Sequence, residues 1–478
     1  MSGLIEKIRN AGVVGAGGAG FPTHVKFAGP CEYILLNGAE CEPLLEVDQQ
    51  IAAVHAKKLL GAMNALVAET GAGGGIFALK EKYSDAIRSV EAALPGFPKL
   101  CLHVLSNTYP AGDEHVLVYE VFQRVVPEGG IPPDVGVVTL NVETLFNIAE
   151  AIEGRPVTEK FLTVAGEVKN PATLRVPLGV SFGEVIDACG GATVREWIAV
   201  EGGPMMGRLV DDPDEPVTKT TKGILLLPRD HPLAIAKGRG MNEMMRLAKI
   251  ACCHCMLCTD VCPRYLLGHR LHPDKLMRLA AYNSTCERDV AATEAFLCCE
   301  CGLCETACIM GLQPWKLNRE LKVRMTAAGI RNPYRENASS RAEELRPPPQ
   351  VNPFREYRLF PAGKLTHRLG LSSYAGKKAP LQLNSPFSTE ERREAPKGDV
   401  EKLPIPVERV VLKLKQHAGA PAAPVVARGD RVERGRMVAR GEAPVSAHVH
   451  TPLSGRVRAV EADSIVVEAT GAESEGEE

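Results

Sequence analysis

The sequence predicts a multidomain chain, α/β in its first third and β at its end, with a helical, cysteine-bearing domain between them. Three observations carry this. Apolar strand-like runs such as Tyr33–Leu36 alternate with helix-like stretches such as Val47–Glu69 as far as Ala151. Eight of the 15 cysteines fall in two runs of identical spacing near the middle. Short apolar segments separated by glycine turns recur from Val410 to Val457. At 478 residues there is room for about three domains of ordinary size.

Composition narrows the classes. Lys and Arg number 56 against 58 Asp and Glu, a net charge of -2, which argues against nucleic acid as a general partner because phosphate binding wants a basic excess. A hydrophobic content of 45% and a charged content of 24% are ordinary for a soluble protein. No run approaches about 18 apolar residues, and no charged stretch with a long apolar run follows the first methionine. Neither a transmembrane helix nor a signal peptide is expected, and the expected compartment is the cytoplasm. Thiols there stay reduced, so clustered cysteines point to metal or catalysis rather than disulfides.

Cys252, Cys255, Cys258 and Cys262 form C-x-x-C-x-x-C-x-x-x-C ahead of Pro263, and Cys298, Cys301, Cys304 and Cys308 repeat that spacing. In two-cluster ferredoxins the first three cysteines of a run hold one [4Fe-4S] cube and the fourth ligates the other. The expected sets therefore cross: Cys252, Cys255 and Cys258 with Cys308, and Cys298, Cys301 and Cys304 with Cys262. Structural zinc is the alternative, but zinc knuckles rarely carry three cysteines at two successive x-x spacings and a fourth at x-x-x, twice over. Ile309 stands where a proline is expected after the second run. Cys253 and Cys299 read as bystanders. Between the runs, Leu271, Leu276, Leu279 and Ala280 recur at roughly helical spacing, so the domain is expected to be a helical dicluster domain.

Near the N-terminus, Gly15-Ala16-Gly17-Gly18-Ala19-Gly20-Phe21-Pro22-Thr23 packs four glycines into six positions. Such a loop lets backbone N–H groups approach a phosphate, although by itself it also fits a tight turn. Tyr33–Asn37 reads as a buried strand running into the acidic turn Gly38–Pro43, where ligands of α/β folds gather.

These segments, followed in order by Tyr109–Glu114 and Asn141–Leu145, resemble the flavin-binding subunit of respiratory complex I. Ala16 stands where that pattern has arginine. Over residues 1 to 330 the chain resembles more closely the RnfC-like family, that is, the RnfC component of the Rnf electron-transport complex and its soluble relatives: cobalamin reductases of propanediol utilisation and the RnfC-like component of some methylenetetrahydrofolate reductases. The resemblance implies that Gly15, Gly17, Gly18, Gly20, Lys26, Asn37, Glu40, Glu114 and Asn141 line FMN, while Phe21 and Glu42 face the nicotinamide dinucleotide. For Glu40 and Glu42 a solvated turn, and for Asn141 a helix cap, are the plainer readings.

The resemblance also implies the architecture: a Rossmann-like FMN/NADH domain (1–155), an SLBB β-grasp domain (156–230), a helical domain with two [4Fe-4S] clusters (231–330) and a C-terminal barrel-sandwich hybrid domain (405–470). Within the second domain, Phe161–Pro171 reads as strand-turn-strand, Val180–Ala188 as helix and Trp197–Val200 as strand. No residue there specifies a ligand, so scaffold or docking surface is the expectation. Residues 331–404, with Pro347-Pro348-Pro349 and Glu390-Glu391-Arg392-Arg393, read as a linker or arm. An embedded piece, Lys364–Leu371, has helical spacing suited to clamping a neighbour. The last module lacks any lysine after Gln416, which rules out covalent carriage of biotin or lipoate and leaves docking; Arg428, Arg431, Arg434, Arg436 and Arg440 suit an acidic redox partner or merely solvated turns. The acidic tail 471–478 reads as disordered.

The expected activity is NADH oxidation through FMN and two cubes to a corrinoid or a partner reductase, since a flavin handles electrons both in pairs and singly. Cobalamin is a possible acceptor. The alternatives are the peripheral RnfC component of an ion-translocating Rnf-type complex, an electron relay that never meets NADH, and a nonredox scaffold. The RnfC component of the pumping complex has its sandwich domain at the N-terminus, and the C-terminal position here favours the soluble relatives. The chain is expected to be one subunit of a hetero-oligomer in the cytoplasm, a microcompartment lumen or at the cytoplasmic membrane face.

Overall fold

The computed structural model describes residues 3–282, 289–338, 349–382, 387–388 and 405–469. Pro347 and Pro348, the run Glu390–Arg393, Cys286 and the acidic tail lie outside the described residues.

The first domain runs α1 (Gly3–Asn10), β1 (Tyr33–Gly38), α2 (Val47–Thr70), β2 (Gly74–Lys80), α3 (Ser84–Ala93), β3 (Leu100–Leu105), β4 (Thr108–Tyr109), α4 (Glu114–Phe122), β5 (Val137–Asn141) and α5 (Val142–Ile152). Its sheet is parallel, in the order β3-β2-β1-β5. Parallel strands covered on both faces read as unbroken apolar runs, and every residue of β2 is buried. The pleat sorts them. Ile34, Leu36, Phe77 and Leu79 pack with Leu59, Met63 and Leu145 of α2 and α5. Leu35, Ile76 and Ala78 pack with Leu117 and Val118 of α4. Strand order reverses between β1 and β5, so the ligand crevice of such a fold lies at the carboxyl ends of these two strands. By length and composition α2 could cross a membrane, but Ile51, Leu59, Leu60, Met63 and Leu66 are buried in the core.

The second domain joins β6 (Glu159–Gly166), β7 (Ala172–Pro177), β8 (Trp197–Glu201), β9 (Arg208–Val210) and β10 (Gly223–Pro228) in the order β7-β6-β10-β8-β9, with α6 (Phe182–Ala188) between β7 and β8. This is the strand-turn-strand, helix, strand succession read from sequence. Ser181 and Glu184 close a capping box that starts α6 where the polar-to-apolar switch falls.

The third domain is helical: α7 (Pro232–Gly238), α8 (Met241–Ala251), α9 (Leu257–Asp260), α10 (Pro263–Leu266), α11 (Pro273–Tyr282), a 3₁₀ stretch Val290–Leu297, α12 (Leu303–Ala307) and α13 (Pro314–Ala327). Leu271, Leu276 and Ala280 form its core with Met277, Leu317 and Leu321.

The arm is not a free linker over 349–382. Phe360–Pro361 pairs antiparallel with β4. Leu365, fully buried, packs against Tyr109, Met205 and Leu303, while Leu371 and Tyr374 pack on Leu225, Leu227 and Leu233. Its proline content hides this because the few apolar residues are spaced for three separate anchor points. The C-terminal domain is a sandwich of a four-stranded sheet (409–413, 464–469, 455–460, 431–432) and a three-stranded one (423–424, 437–440, 449–450).

Candidate functional site

The glycine loop is a closed ring. Val14 bridges Pro22, Gly15 N donates to Phe21 O (2.8 Å), and Gly20 N donates to Gly15 O (3.1 Å). At its exposed tip, the N–H groups of Gly17, Gly18 and Ala19 make no hydrogen bond among the described residues. Ala16 N donates to Thr144 Oγ1 (2.9 Å), and a Cβ at Gly17 would stand 3.6 Å from the Asn141 side chain. The loop therefore overhangs the carboxyl end of β5 and the first turn of α5. Asn141 does cap α5, accepting from Glu143 N (3.0 Å) and Thr144 N (3.4 Å), and it lies under the loop as well.

Lys26 comes to the same place: its Nζ donates to Thr139 O (2.9 Å) and lies 3.3 Å from Glu114, which also accepts from Thr139 Oγ1 (2.7 Å). Asn37, at the end of β1, donates to Gly112 O (2.8 Å). Gly15, Gly17, Gly18, Gly20, Lys26, Asn37, Glu114 and Asn141 are thus gathered around the switch point. Three unpaired N–H groups and an ammonium fit a flavin phosphate.

The two glutamates of the acidic turn differ from the expectation. Glu40 is buried and caps α2, accepting from Asp48 N (3.1 Å) and Gln49 N (3.4 Å). Burial, then the Asp48 charge, pushes its pKa up to about 7. Glu42, expected to face the dinucleotide, accepts instead from Met205 N and Met206 N, both at 2.8 Å. A Cβ at Gly203 would lie 2.2 Å from this carboxylate, so any larger residue there would push Glu42 off its two donors. Glu40 satisfies backbone donors at the start of the next helix, whereas Glu42 satisfies those of a distant segment, which no local spacing reveals.

Beneath the loop lies an ionic network that the sequence did not disclose. Lys160 pairs with Glu143 and reaches Ala16 O (3.3 Å); Lys222 pairs with Asp48 (2.5 Å) and stands 3.7 Å from Glu143. Asp48 also accepts from Asn141 Nδ2 (2.7 Å). Burial works against the Lys222 charge, but Asp48, Glu143 and Glu40 outweigh it and raise its pKa. Both lysines belong to the β-grasp domain and the acids to the flavin domain.

The C-terminal domain closes on the other side of the loop. Ala418 N donates to Gly20 O (2.9 Å), and a Cβ at Gly20, whose φ is +63°, would meet Thr220 Cγ2 at 2.8 Å. Lys219 Nζ donates to Gly12 O (2.7 Å) and His448 O (2.6 Å). Burial, with positive neighbours including Lys219, holds His448 at about 4 and His450 at about 3. An unfolded histidine takes up its proton near pH 6.5, so below that the undocked state binds more protons and stability falls with pH. Protection of the Ala418 N–H, taken relative to its intrinsic exchange, should fall between about pH 6.5 and 4, and His448→Gln with His450→Gln should flatten that profile; a flat wild-type profile removes the histidines from the docking.

The two cysteine runs fold alike. His254 and Met256 take φ +60°, and their counterparts Glu300 and Gly302 take φ +59° and +77°. Cys262 and Cys308 leave their runs at φ/ψ of -65°/120° and -69°/118°, so Ile309 in place of proline changes nothing in the backbone. Among the described residues no three His, Cys, Asp or Glu side chains close on a single ion. The thiols nonetheless face one another across the runs. Burial, then Asp274 and Cys308, pushes Cys258 up to about 12; burial, then Cys298 and Cys262, raises Cys304 further. Cys258, Cys262, Cys301 and Cys304 are buried, and thiols so gathered fit an iron–sulfur group, which binds them as thiolates.

The flavin crevice is tied directly to both runs. Asp113, N-cap of α4, pairs with buried Arg264 (2.6 and 3.0 Å), and Tyr109 Oη donates to Cys301 O (2.5 Å). Arg264 adjoins Cys262-Pro263 in sequence, a proximity that could have marked it.

A flavin-type anion crevice joined to a double cysteine domain defines an iron–sulfur flavoprotein oxidoreductase. Models of the Nuo51 FMN-binding domain (residues 8–150), the SLBB domain (161–209), the 4Fe-4S dicluster domain (251–313) and the RnfC barrel sandwich hybrid domain (388–474) match the chain. It is 40% identical over 464 residues to cobalamin reductase PduS of Citrobacter freundii and 41% over 466 to that of Salmonella typhimurium, each covering 97% of this chain and 95% of the relative. The chain belongs to the cobalamin reductase PduS family. It is also 38% identical over 271 residues to a component of the Na(+)-translocating ferredoxin:NAD(+) oxidoreductase complex of Acetobacterium woodii, covering 55% of this chain and 58% of that one. A crystal structure of an NAD+-reducing [NiFe]-hydrogenase in the H2-reduced state aligns with TM-score 0.45 and 20% identity over 73% of this chain and 68% of the other.

Proposed function

We propose that this chain oxidises NADH and passes the electrons, by way of FMN and two [4Fe-4S] clusters, to a corrinoid. The carrying observation is the pair of contacts, Asp113–Arg264 and Tyr109–Cys301, that join the crevice to the end of the first cysteine run and to the middle of the second. FMN, when bound, exchanges electrons in pairs with nicotinamide and singly with iron–sulfur clusters. The N–H groups of Gly17, Gly18 and Ala19 with Lys26 would hold its phosphate, and Asn37, Glu114 and Asn141 its edge. Phe21, at the ring's base, would take the nicotinamide side, with Glu42 acting through the Gly203–Met206 turn that it holds. The crossed sets, Cys252, Cys255 and Cys258 with Cys308 and Cys298, Cys301 and Cys304 with Cys262, are supported by the two-cluster spacing of the runs.

Similarity along nearly the whole chain to proteins named cobalamin reductase supports the corrinoid as acceptor. Similarity to a component of an ion-translocating complex supports a place in a hetero-oligomer, in the cytoplasm, a microcompartment lumen or at the cytoplasmic membrane face. Engagement of Glu42 by backbone favours one second reading, an electron relay that receives electrons from elsewhere and never meets NADH.

Anaerobic protein should carry about eight irons and one FMN per chain, and NADH should bleach the flavin and then reduce cob(III)alamin or cob(II)alamin. A flavin that dithionite but not NADH bleaches would leave the relay reading; zinc without flavin would remove both.

A further inference from the structure

Asn318 lies on the inward face of α13 with Trp315, Leu317, Leu321 and Met325, and none of its surface is exposed. Among the described residues neither its Nδ2 nor its Oδ1 closes a hydrogen bond. A buried carboxamide left without partners is costly, so the position calls for a partner that the described residues do not supply. One helical turn further on, Lys322 Nζ donates to Cys298 O (2.5 Å) and pairs with Glu300 (2.8 Å), which sets this face of the helix against the start of the second cysteine run. Asn318 and Lys322, four residues apart, share one side of α13, which places Asn318 beside the Cys298 end of the run. The first run is differently furnished. Its Cys258 has Asp274 nearby, a carboxylate that accepts from Thr259 Oγ1 (2.5 Å) and pairs with Arg278 (2.9 Å).

We infer that Asn318 donates an N–H to the sulfur shell of the cluster held by Cys298, Cys301, Cys304 and Cys262, and thereby raises the reduction potential of that cluster alone. This rests on the ligand sets proposed above. Reduction adds one negative charge to the cube, and a donor to sulfur stabilises the reduced form more than the oxidised one. Asn318 is thus a positioning and tuning residue, not a ligand.

The test is an anaerobic redox titration of the full-length reconstituted protein, followed by electron paramagnetic resonance, for wild type, Asn318→Leu and Asn318→Asp. With about eight irons per chain retained, one midpoint should move to more negative potential in Asn318→Leu, and at least as far in Asn318→Asp, while the other stays. Full iron with both midpoints unmoved overturns the inference and leaves the ligand sets standing; wild-type protein lacking two cubes overturns the sets. Should the variants lose a cube, wild-type protein with ¹⁵N-labelled asparagine decides: hyperfine coupling from ¹⁵N to one reduced cluster is expected, and its absence overturns the inference.

Discussion

Lys222→Met is expected to destabilise the protein by about 3–5 kcal/mol, because it leaves buried acids without their counter-ion. Asp48 would lose its 2.5 Å partner, and Glu143 would keep Lys160 alone. Glu40, already held near neutrality with a pKa of about 7, can take up a proton and relieve part of the excess charge, so the loss should be smaller at pH 6 than at pH 8. Asp48 also orients Asn141 beneath the glycine loop, so FMN should dissociate more readily. Denaturant melts and flavin retained on gel filtration read both effects. The exposed pair Arg88–Asp85 serves as control, since surface pairs contribute little. Unchanged stability and flavin content in Lys222→Met would mean that the network is dispensable.

The second large effect concerns the crossing of the cluster ligands. If the sets cross, Cys262→Ala with Cys298→Ala strikes one cube, and iron should fall from about eight to about four per chain. Cys252→Ala with Cys262→Ala strikes both, and iron should fall nearly to zero. Uncrossed sets invert the outcome. Iron analysis therefore separates the two arrangements without reference to activity. The surviving cube in Cys262→Ala/Cys298→Ala would be the one next to Asp274, and the cube held beside Tyr109 would be gone, so electron transfer from the flavin should be slow even though iron remains.

What could be read from sequence and what could not divides along one physical line. The cysteine runs were legible because cubes need thiolates at fixed short spacings, and the glycine loop because a close backbone approach excludes Cβ atoms. The alternation of strand and helix around β1, α2 and β5 was legible because parallel strands are buried on both faces. Glu42 was not, because its partners Met205 and Met206 lie in another domain. Lys160, Lys222 and Arg264 carry charges that in sequence look like any surface charge; only burial against Glu143, Asp48 and Asp113 distinguishes them. The arm was legible in part: the helical spacing of Lys364–Leu371 marked the clamp that Leu365 and Leu371 form, while its prolines advertised a linker and hid the anchors at Phe360 and Tyr374.

The bond from Ala418 to Gly20 has a bearing on how the protein is made. The loop is synthesised well before the domain that backs it. A nascent chain can pair β1 with β2 and β5 early, but the ring of Gly15–Gly20 lacks that support until residue 418 has been added. A chain truncated before residue 405 is therefore expected to keep the cysteines of both runs and to hold flavin less well than the full chain.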